Sequence, residues 1–429
     1  GVEADVELAV APDGRFLALR ARLYADLGAY LYPTTAVPPH TTAMLITGAY
    51  VIPAVHVTLV GAATSKVPTG PYRGAGRPEA AYLIERMVDA AARELGLDPI
   101  DVRRRNLIPR EAFPYQTPLG WTYDSGDYER CLDRALALAE ADRASDERAR
   151  GRRVGVGVGM VIERSGGLWE SAAVRAEPDG QIVVRTSSSP HGQGHETTFA
   201  QIVADELGVD TADVEVRWGD TAVVPAGVGT FASRSTAMGG SALLEALRKL
   251  KRSIGDGISV REAARHAGAL EAEATFRSGL IFSSGAYVAV VEIDPSTGVL
   301  TIQRVVAVDD AGRIVNPLLA EGQVIGATAQ GLGQALVEQA VHDESGQLVT
   351  ASFADYSLLT ASEMPPVVSA FVETPSPFNP LGAKGIGEGG SIGAPAAVAN
   401  AVVAALGGVD VDPPFTEEKL WRAIHGSAA

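Results

Sequence analysis

Cysteine is almost missing from this sequence: Cys131 is the one cysteine in 429 residues. That excludes a disulfide scaffold, a cysteine-ligated iron–sulfur cluster and a structural zinc site within the chain. Basic charge is also short. Lys and Arg total 36 against 52 Asp and Glu, a formal net charge of −16. So acidic a surface argues against nucleic acid and against anionic membranes as partners. No apolar run reaches the roughly 18 residues of a membrane span. The start, Gly1-Val2-Glu3-Ala4-Asp5, has neither a basic n-region nor an apolar h-region, so no signal peptide is expected and the cytoplasm is the default compartment. An initiator Met is lacking too, which is expected of a processed chain or a piece of something larger.

Glycine is in excess. There are 47, about 11%, against a usual value of about 7%. They cluster at Gly70–Gly76, Gly155–Gly167, Gly192–Gly194, Gly227–Gly240, Gly326–Gly333 and Gly382–Gly393. Glycine loops let backbone approach a ligand closely, so the clustering points to a large ligand held mostly by main chain. The hydrophobic fraction of 46% is that of a globular protein, and the length suggests two or three domains.

Local signals predict a hairpin around Pro12-Asp13-Gly14, a β-rich stretch over Ala49–Val60 and a helix over Glu79–Leu95 stopped by Gly96. Asp98 and Pro99 open a second helix to about Leu107. A third helical stretch is expected from Asp127 to about Arg152. Strands follow at Val154–Val161, as a hairpin over Ser171–Ser187, as another over Ala286–Val308, and at Val367–Val372. Helices are expected at Glu196–Leu207, Val324–Glu338, Ala394–Leu406 and Thr416–His425. Strands and helices mix without regular βαβ alternation, so the fold class is α+β, with mixed sheets and helices in two domains. The division is a first α+β region over 1–125, a helical connector over 126–152 and a second α+β domain over 153–429.

Four loops carry chemistry. Tyr72-Arg73-Gly74-Ala75-Gly76-Arg77 leads into a helix, where free N–H groups and two arginines could receive an anion; the alternative is a helix start with surface arginines. His191-Gly192-Gln193-Gly194-His195 also runs into a helix and makes a polar cradle of little bulk. His195-Glu196-Thr197-Thr198 misses the H-E-x-x-H zinc pattern, because Phe199 stands where the second ligand belongs. Gly229-Thr230-Phe231-Ala232-Ser233-Arg234-Ser235-Thr236 offers alternating hydroxyls to phosphate or pterin-type nitrogens, or is an ordinary loop. Lys384-Gly385-Ile386-Gly387-Glu388-Gly389-Gly390 fits G-x-G-x-x-G in form, yet no apolar strand leads into it, so a dinucleotide site fails on context. Glu388 itself is a lone carboxylate among glycines, able to project into a ligand cavity and act as a base, or a solvent-exposed loop residue.

Taken in order, these loops resemble the molybdenum-binding subunit of the xanthine oxidase family, the molybdenum hydroxylases, over essentially the whole chain. The resemblance implies cofactor contacts from Tyr72, Arg73, Gly74 and Ala75 beside the metal, and from Gly192, Gln193 and Gly194 at the pterin dithiolene. It implies further contacts from Phe231, Ala232, Ser233, Arg234, Ser235 and Thr236 around the phosphate, from Gln330 at the pterin, and from Lys384, Gly385, Ile386 and Gly387 before the catalytic Glu388. Molybdenum would be held by the pterin and not by a side chain of this chain. The implied activity is insertion of water-derived oxygen at an electron-poor carbon of an N-heteroaromatic compound or aldehyde, with Glu388 as base.

The same resemblance implies molybdopterin, as its cytosine dinucleotide, and partners for what this chain lacks. These are a [2Fe–2S] small subunit, an FAD medium subunit and a second molybdopterin-binding subunit, assembled as a dimer of heteromers. The second subunit is implied because family subunits are near twice this length and carry a Gly-Gly-Phe-Gly-Gly-Lys loop absent here, as in the split nicotinate dehydrogenases. Gly74 stands where the carbon monoxide dehydrogenases of the family place a cysteine, which argues against copper and carbon monoxide. Ala75 stands where the purine oxidases place a stacking Phe, which argues against purines. Two other classes compete: an assembly subunit without molybdenum, and a nicotinamide dehydrogenase that binds its dinucleotide tightly.

Overall fold

Alternation of apolar and polar residues builds the first sheet of the computed structural model, which describes residues 1–140, 152–224, 226–255 and 257–426. β1 (Val2–Val10) and β2 (Phe16–Gly28) form an antiparallel hairpin in which Leu8 faces Leu19 and Val6 faces Ala21. α1 (Val37–Leu45) leads to β3 (Ala54–Ala63), which runs parallel to β2. The β-rich stretch expected from Ala49 therefore becomes a strand from Ala54 onward. α2 (Arg77–Leu95) ends at Gly96, whose left-handed φ of 66° returns its N–H to the last carbonyls. Asp98 then accepts from Ile100 and Asp101 to cap α3 (Pro99–Asn106). A two-residue ladder, β4 (Tyr115–Gln116) with β5 (Thr122–Tyr123), precedes α4 (Tyr128–Ala139). The continuation of that helix toward Arg152 falls largely outside the described residues.

The second half interleaves two four-stranded sheets. β6 (Val154–Gly166) is followed by β7 (Trp169–Ala176), β8 (Ile182–Thr186), α5 (His195–Leu207) and β9 (Val214–Arg217). α6 (Gly240–Ile254) and α7 (Val260–Ala267), both unanticipated, lead to β10 (Leu270–Arg277) and then β11 (Leu280–Ile293) and β12 (Leu300–Asp310). α8 (Pro317–Leu336) starts seven residues before the expected Val324, with Asn316 as its cap. β13 (Val367–Val372) matches its expected bounds, and α9 (Gly389–Ala405) and α10 (Glu417–His425) close the chain. One sheet orders its strands β10-β7-β8-β9 and the other β13-β12-β11-β6. Antiparallel hairpins with a few parallel pairs, covered by helices, make the α+β class observed. No described helix is long and apolar enough to cross a membrane.

α9 organises the site. Every residue of it except Ala404 is buried. It lies on β6, where a Cβ at Gly155 or Gly157 would run into the backbone of Ala401 and one at Gly159 into the carbonyl of Gly393. The Val-Gly alternation at the start of β6 is thus a helix seat: valines enter the core on one face while the backbone meets the helix on the other. A buried polar girdle fixes the helix from the side. Arg103 bonds Glu85 at 2.8 Å and Asp89 at 2.6 Å, and Tyr50 donates to Glu85 at 2.6 Å. Asn400 of α9 donates to the carbonyls of Glu85 at 3.2 Å and Val158 at 2.9 Å.

Candidate active site

Glu388 occupies the N-cap position of α9, with its side chain 12% exposed. The expected start of this helix at Ala394 is corrected to Gly389, so the carboxylate stands at the positive end of the helix. Three groups hold it. The backbone N–H of Gly74 donates to Oε1 at 2.8 Å, the hydroxyl of Ser233 donates to Oε2 at 3.3 Å, and the Arg77 guanidinium lies 3.4 Å from Oε1. Gly74 has φ +101°, a backbone that turns its N–H toward the glutamate and that side-chain-bearing residues rarely adopt. Arg77, the first residue of α2, is buried and donates to the carbonyls of Gly74 and Arg164 at 2.5 Å each. The Ser391 hydroxyl donates to the Glu388 carbonyl at 2.8 Å and lies 3.2 Å from that of Arg73, between the two loops.

The loop carrying Ser233 is anchored from within. Arg234 is fully buried, ion-paired with Glu170, and donates to the carbonyls of Gly229 at 2.9 Å, Trp169 at 3.0 Å and Gly167 at 3.2 Å. Glu170 in turn accepts from the N–H groups of Val228 at 3.0 Å and Gly229 at 2.7 Å. Ala232 and Ser233 stand at φ +48° and +52°, two successive left-handed residues. Such strain persists only where the surroundings over-determine the backbone, and here the Arg234–Glu170 anchor does so. A five-residue π-helix, Ser235–Gly239, carries the loop into α6.

These loops enclose a cavity of about 510 Å³. Of the residues singled out in the sequence, Arg73, Gly192, Gln193, the run 231–236, Lys384, Ile386, Gly387 and Glu388 line it. Tyr72, Gly74, Ala75, Gly194, Gln330 and Gly385 do not. Tyr72 hydrogen-bonds Gln330, and its phenol is pushed up by burial. Gly194 caps α5. Lys384 reaches the wall, but its buried ammonium is bonded to Ser125 O and Thr374 Oγ1 at 3.1 Å and faces Asp310 at 3.4 Å. Arg73 bridges the loops, donating to Gly387 O at 2.6 Å and to Gln323 at 3.4 Å. His195 lines the cavity with Nδ1 2.9 Å from Ser188 O, and burial lowers its pKa.

Two acids behind this wall escaped the sequence reading. Glu163 of β6 is buried, its Oε1 has no hydrogen-bond partner, and burial together with the charge of Glu388 pushes its pKa up to about 7. Asp309 of β12 is buried and accepts from Tyr287 at 2.9 Å; burial pushes it up to about 8. A glutamate directly after the apolar run Val158–Ile162, in the same strand, was the signal for the first.

Two models, each described as a molybdopterin cofactor-binding domain, match residues 1–107 and 131–365. The gamma subunit of the 6-hydroxypseudooxynicotine dehydrogenase complex of Paenarthrobacter nicotinovorans is 35% identical, covering 98% of this chain and 60% of its own length. The carbon monoxide dehydrogenase large chain of Hydrogenophaga pseudoflava is 34% identical over the same shares. The solved quinoline 2-oxidoreductase of Pseudomonas putida 86 superposes with a TM-score of 0.92 at 35% identity, over 99% of this chain and 62% of that one. The chain belongs to the molybdopterin cofactor-binding family, within the xanthine oxidase type of molybdenum-dependent dehydrogenases and hydroxylases. It spans about 60% of the length of the relatives it matches.

Proposed function

We propose that this chain forms the molybdopterin-binding and catalytic wall of a multi-subunit hydroxylase or dehydrogenase. The enzyme inserts water-derived oxygen at an electron-poor carbon of an N-heteroaromatic compound or aldehyde. The observation that carries this reading is the Glu388 carboxylate, set on the wall of a main-chain-rich cavity by Gly74, Ser233 and Arg77. The names of similar proteins, which include a nicotine 6-hydroxylase and a quinoline 2-oxidoreductase, favour heteroaromatic substrates.

The residues present fit a large, polar, anionic cofactor. Ile386 and Gly387 line the cavity, and their N–H groups have no partner among the described residues. Gly192 leaves open space where a side chain would stand. The wall supplies the amide of Gln193 and the hydroxyls of Ser233, Ser235 and Thr236. These groups would hold a molybdopterin, in the cytosine dinucleotide form on this reading. When bound, the cofactor supplies the two-electron oxidation of the substrate carbon. Glu388 takes a proton beside the reacting carbon, Arg77 and Gly74 N–H steady its charge, and Arg73 keeps the Gly387 turn in place.

Electrons leave through [2Fe–2S] and FAD groups on partner chains, because Cys131 is buried and is the chain's one cysteine. The rest of the relatives' length comes from a second molybdopterin-binding polypeptide or from chain beyond this sequence, and the whole works in the cytoplasm as a dimer of heteromers. The test is Glu388→Gln in the purified complex. Molybdenum and pterin stay near wild-type levels while turnover of heteroaromatic and aldehyde substrates, followed with an artificial electron acceptor, falls by several orders of magnitude. Wild-type turnover in that variant overturns the assignment.

A further inference from the structure

Glu163 stands directly behind the Glu388 loop. Its Oε1 crowds Gly385: a Cβ built there would lie 2.9 Å from that oxygen and 2.8 Å from Ser233 Cβ. Glycine at 385 is therefore the residue that lets the glutamate close on the loop. Ser233 donates its hydroxyl to Glu388 Oε2 at 3.3 Å and lies beside the Glu163 carboxyl, since both crowd the same Cβ position at Gly385. A hydroxyl has one proton to give. With that proton on Glu388, Ser233 has none left for Glu163. The charged groups around Glu163 are Arg77 and Arg73 from the first loop, Glu388 from the last, and Asp309 with its partner Tyr287 from β12 and β11. Neither arginine bonds it. Arg77 gives its two terminal nitrogens to the carbonyls of Gly74 and Arg164, and Arg73 is held by Gly387 and Gln323. A charged Glu163 would be desolvated and left with an unpaired oxygen, a costly arrangement that the neutral acid avoids.

We propose that Glu163 is a positioning residue of the site, a second carboxyl held as the neutral acid behind Ser233, so that Glu388 is the one anionic carboxylate of the pair. Its protonated state follows from its burial and its unpartnered oxygen; its part in turnover rests on Glu388 being the base of the proposed reaction. Above neutrality Glu163 ionises, two like charges then flank Ser233, and the hydroxyl must choose between them.

The experiment is a pH titration of the purified complex by difference infrared spectroscopy. The wild type should lose a protonated-carboxyl band with a midpoint of about 7. Glu163→Gln should lack the component with that midpoint and keep only the one from Asp309, whose carboxyl is pushed up to about 8. Glu388→Gln should keep the Glu163 component with its midpoint lowered by roughly one unit, since the adjacent charge is gone. Ser233→Ala retains both carboxyls and serves if Glu163→Gln does not fold; there the Glu163 component should persist, because Ser233 gives its proton to Glu388 and not to Glu163, and its loss in that variant overturns the proposal. A wild type without that component, or a Glu163→Gln complex that retains it, overturns the proposal. In turnover, the kcat/KM profile of the wild type should bend near the same midpoint and that of Glu163→Gln should not; a bend common to both removes Glu163 from the reaction. A complex with the infrared signature but no oxidation of any heteroaromatic or aldehyde compound overturns the proposed function and leaves Glu163 as assigned.

Discussion

The backbone N–H of Gly74 reaches Glu388 Oε1 at 2.8 Å across 314 residues of sequence. The bond ties the first glycine loop to the last. It depends on φ +101° at Gly74, where an added Cβ would also meet Pro78 Cγ at 2.5 Å. Gly74→Ala should move the donor and the carboxylate together. The expected result is turnover about tenfold lower or worse, from loss of a charge-assisted hydrogen bond, with molybdenum content largely retained. Steady-state kinetics beside metal analysis checks it; unchanged kinetics would mean that the turn adapts.

Gln193 and Arg73 should behave in the opposite way. Gln193 lines the cavity with its carbonyl oxygen taken by the N–H of His191, which leaves its amide N–H groups for a ligand. Arg73 holds the Gly387 carbonyl at 2.6 Å. Gln193→Ala and Arg73→Met should each lower molybdenum and pterin content about tenfold, the worth of one or two hydrogen bonds, while turnover per bound molybdenum changes less. Full occupancy in both variants would take these residues out of cofactor retention.

The buried acids make stability depend on pH. Glu163 moves from an ordinary value of 4.5 to about 7, and Asp309 from 3.8 to about 8. Between those limits the folded chain keeps protons that the unfolded chain has lost. Their contribution is fully present below about pH 4, declines as pH rises through 5 to 8, and is level above that. Thermal inactivation measured from pH 5 to 9 should show this decline, and Asp309→Asn should flatten its upper part. A slope that Asp309→Asn leaves unchanged would place the dependence elsewhere.

Much of the fold was legible because its signals are local. The Pro12-Asp13-Gly14 turn, the Gly96 stop and the Asp98-Pro99 start each act within a few residues, and each element formed where expected. The start of α9 was not legible. Gly389-Gly390-Ser391-Ile392-Gly393 reads as loop, and proline at 395 reads as a first helical position. Tertiary contact overrides both: Gly390 packs against the backbone of α8 and Gly393 against Tyr287, so the glycines are helical because they are crowded. The loops of the site could be recognised because each bears its own glycine cluster. Glu163 could not be assigned a role, and Arg77, read as charge for an anion, could not be set against Glu388, since the strand glutamate and the arginine before Pro78 meet their partners only through neighbours distant in sequence. For α7 the sequence did carry a mark, the Ser259 and Glu262 capping box, which went unused.

The Arg103–Glu85 pair is a case where removing one partner and removing both should differ. Both side chains are buried, and the pair joins α3 to α2 beside the Asn400 contact that fixes α9. Arg103→Met leaves Glu85 buried with only the Tyr50 hydroxyl, and should cost about 3–5 kcal/mol. Adding Glu85→Leu removes the stranded charge and should recover a large part of that loss. Denaturation midpoints of the two variants check the order; a double variant no better than the single would show that the hydrogen-bonded girdle, more than the charge, is what matters.

The seat of α9 gives the sharpest test of how the fold carries the site. At Gly157 an added Cβ would collide with the backbone of Ala397 and Ala401 and approach Asn400 C at 2.7 Å. Backbone cannot rotate away as a side chain can, so Gly157→Ala must lift the helix. Overpacking of this kind costs about 1–3 kcal/mol, and the displacement reaches Glu388 at the end of the same helix. Gly322 of α8 is the counterpart: it is exposed, nothing lies within 4 Å of its Cβ position, and its backbone is helical. Gly322→Ala should stabilise by about 0.5–1 kcal/mol through the lower entropy of the unfolded chain. The two substitutions add the same methyl group to the same residue type, so denaturation midpoints that move in opposite directions, with turnover lost in Gly157→Ala alone, isolate helix seating as the cause. Equal midpoints would mean that β6 can bend to admit the methyl group and that α9 is not held where the glycines put it.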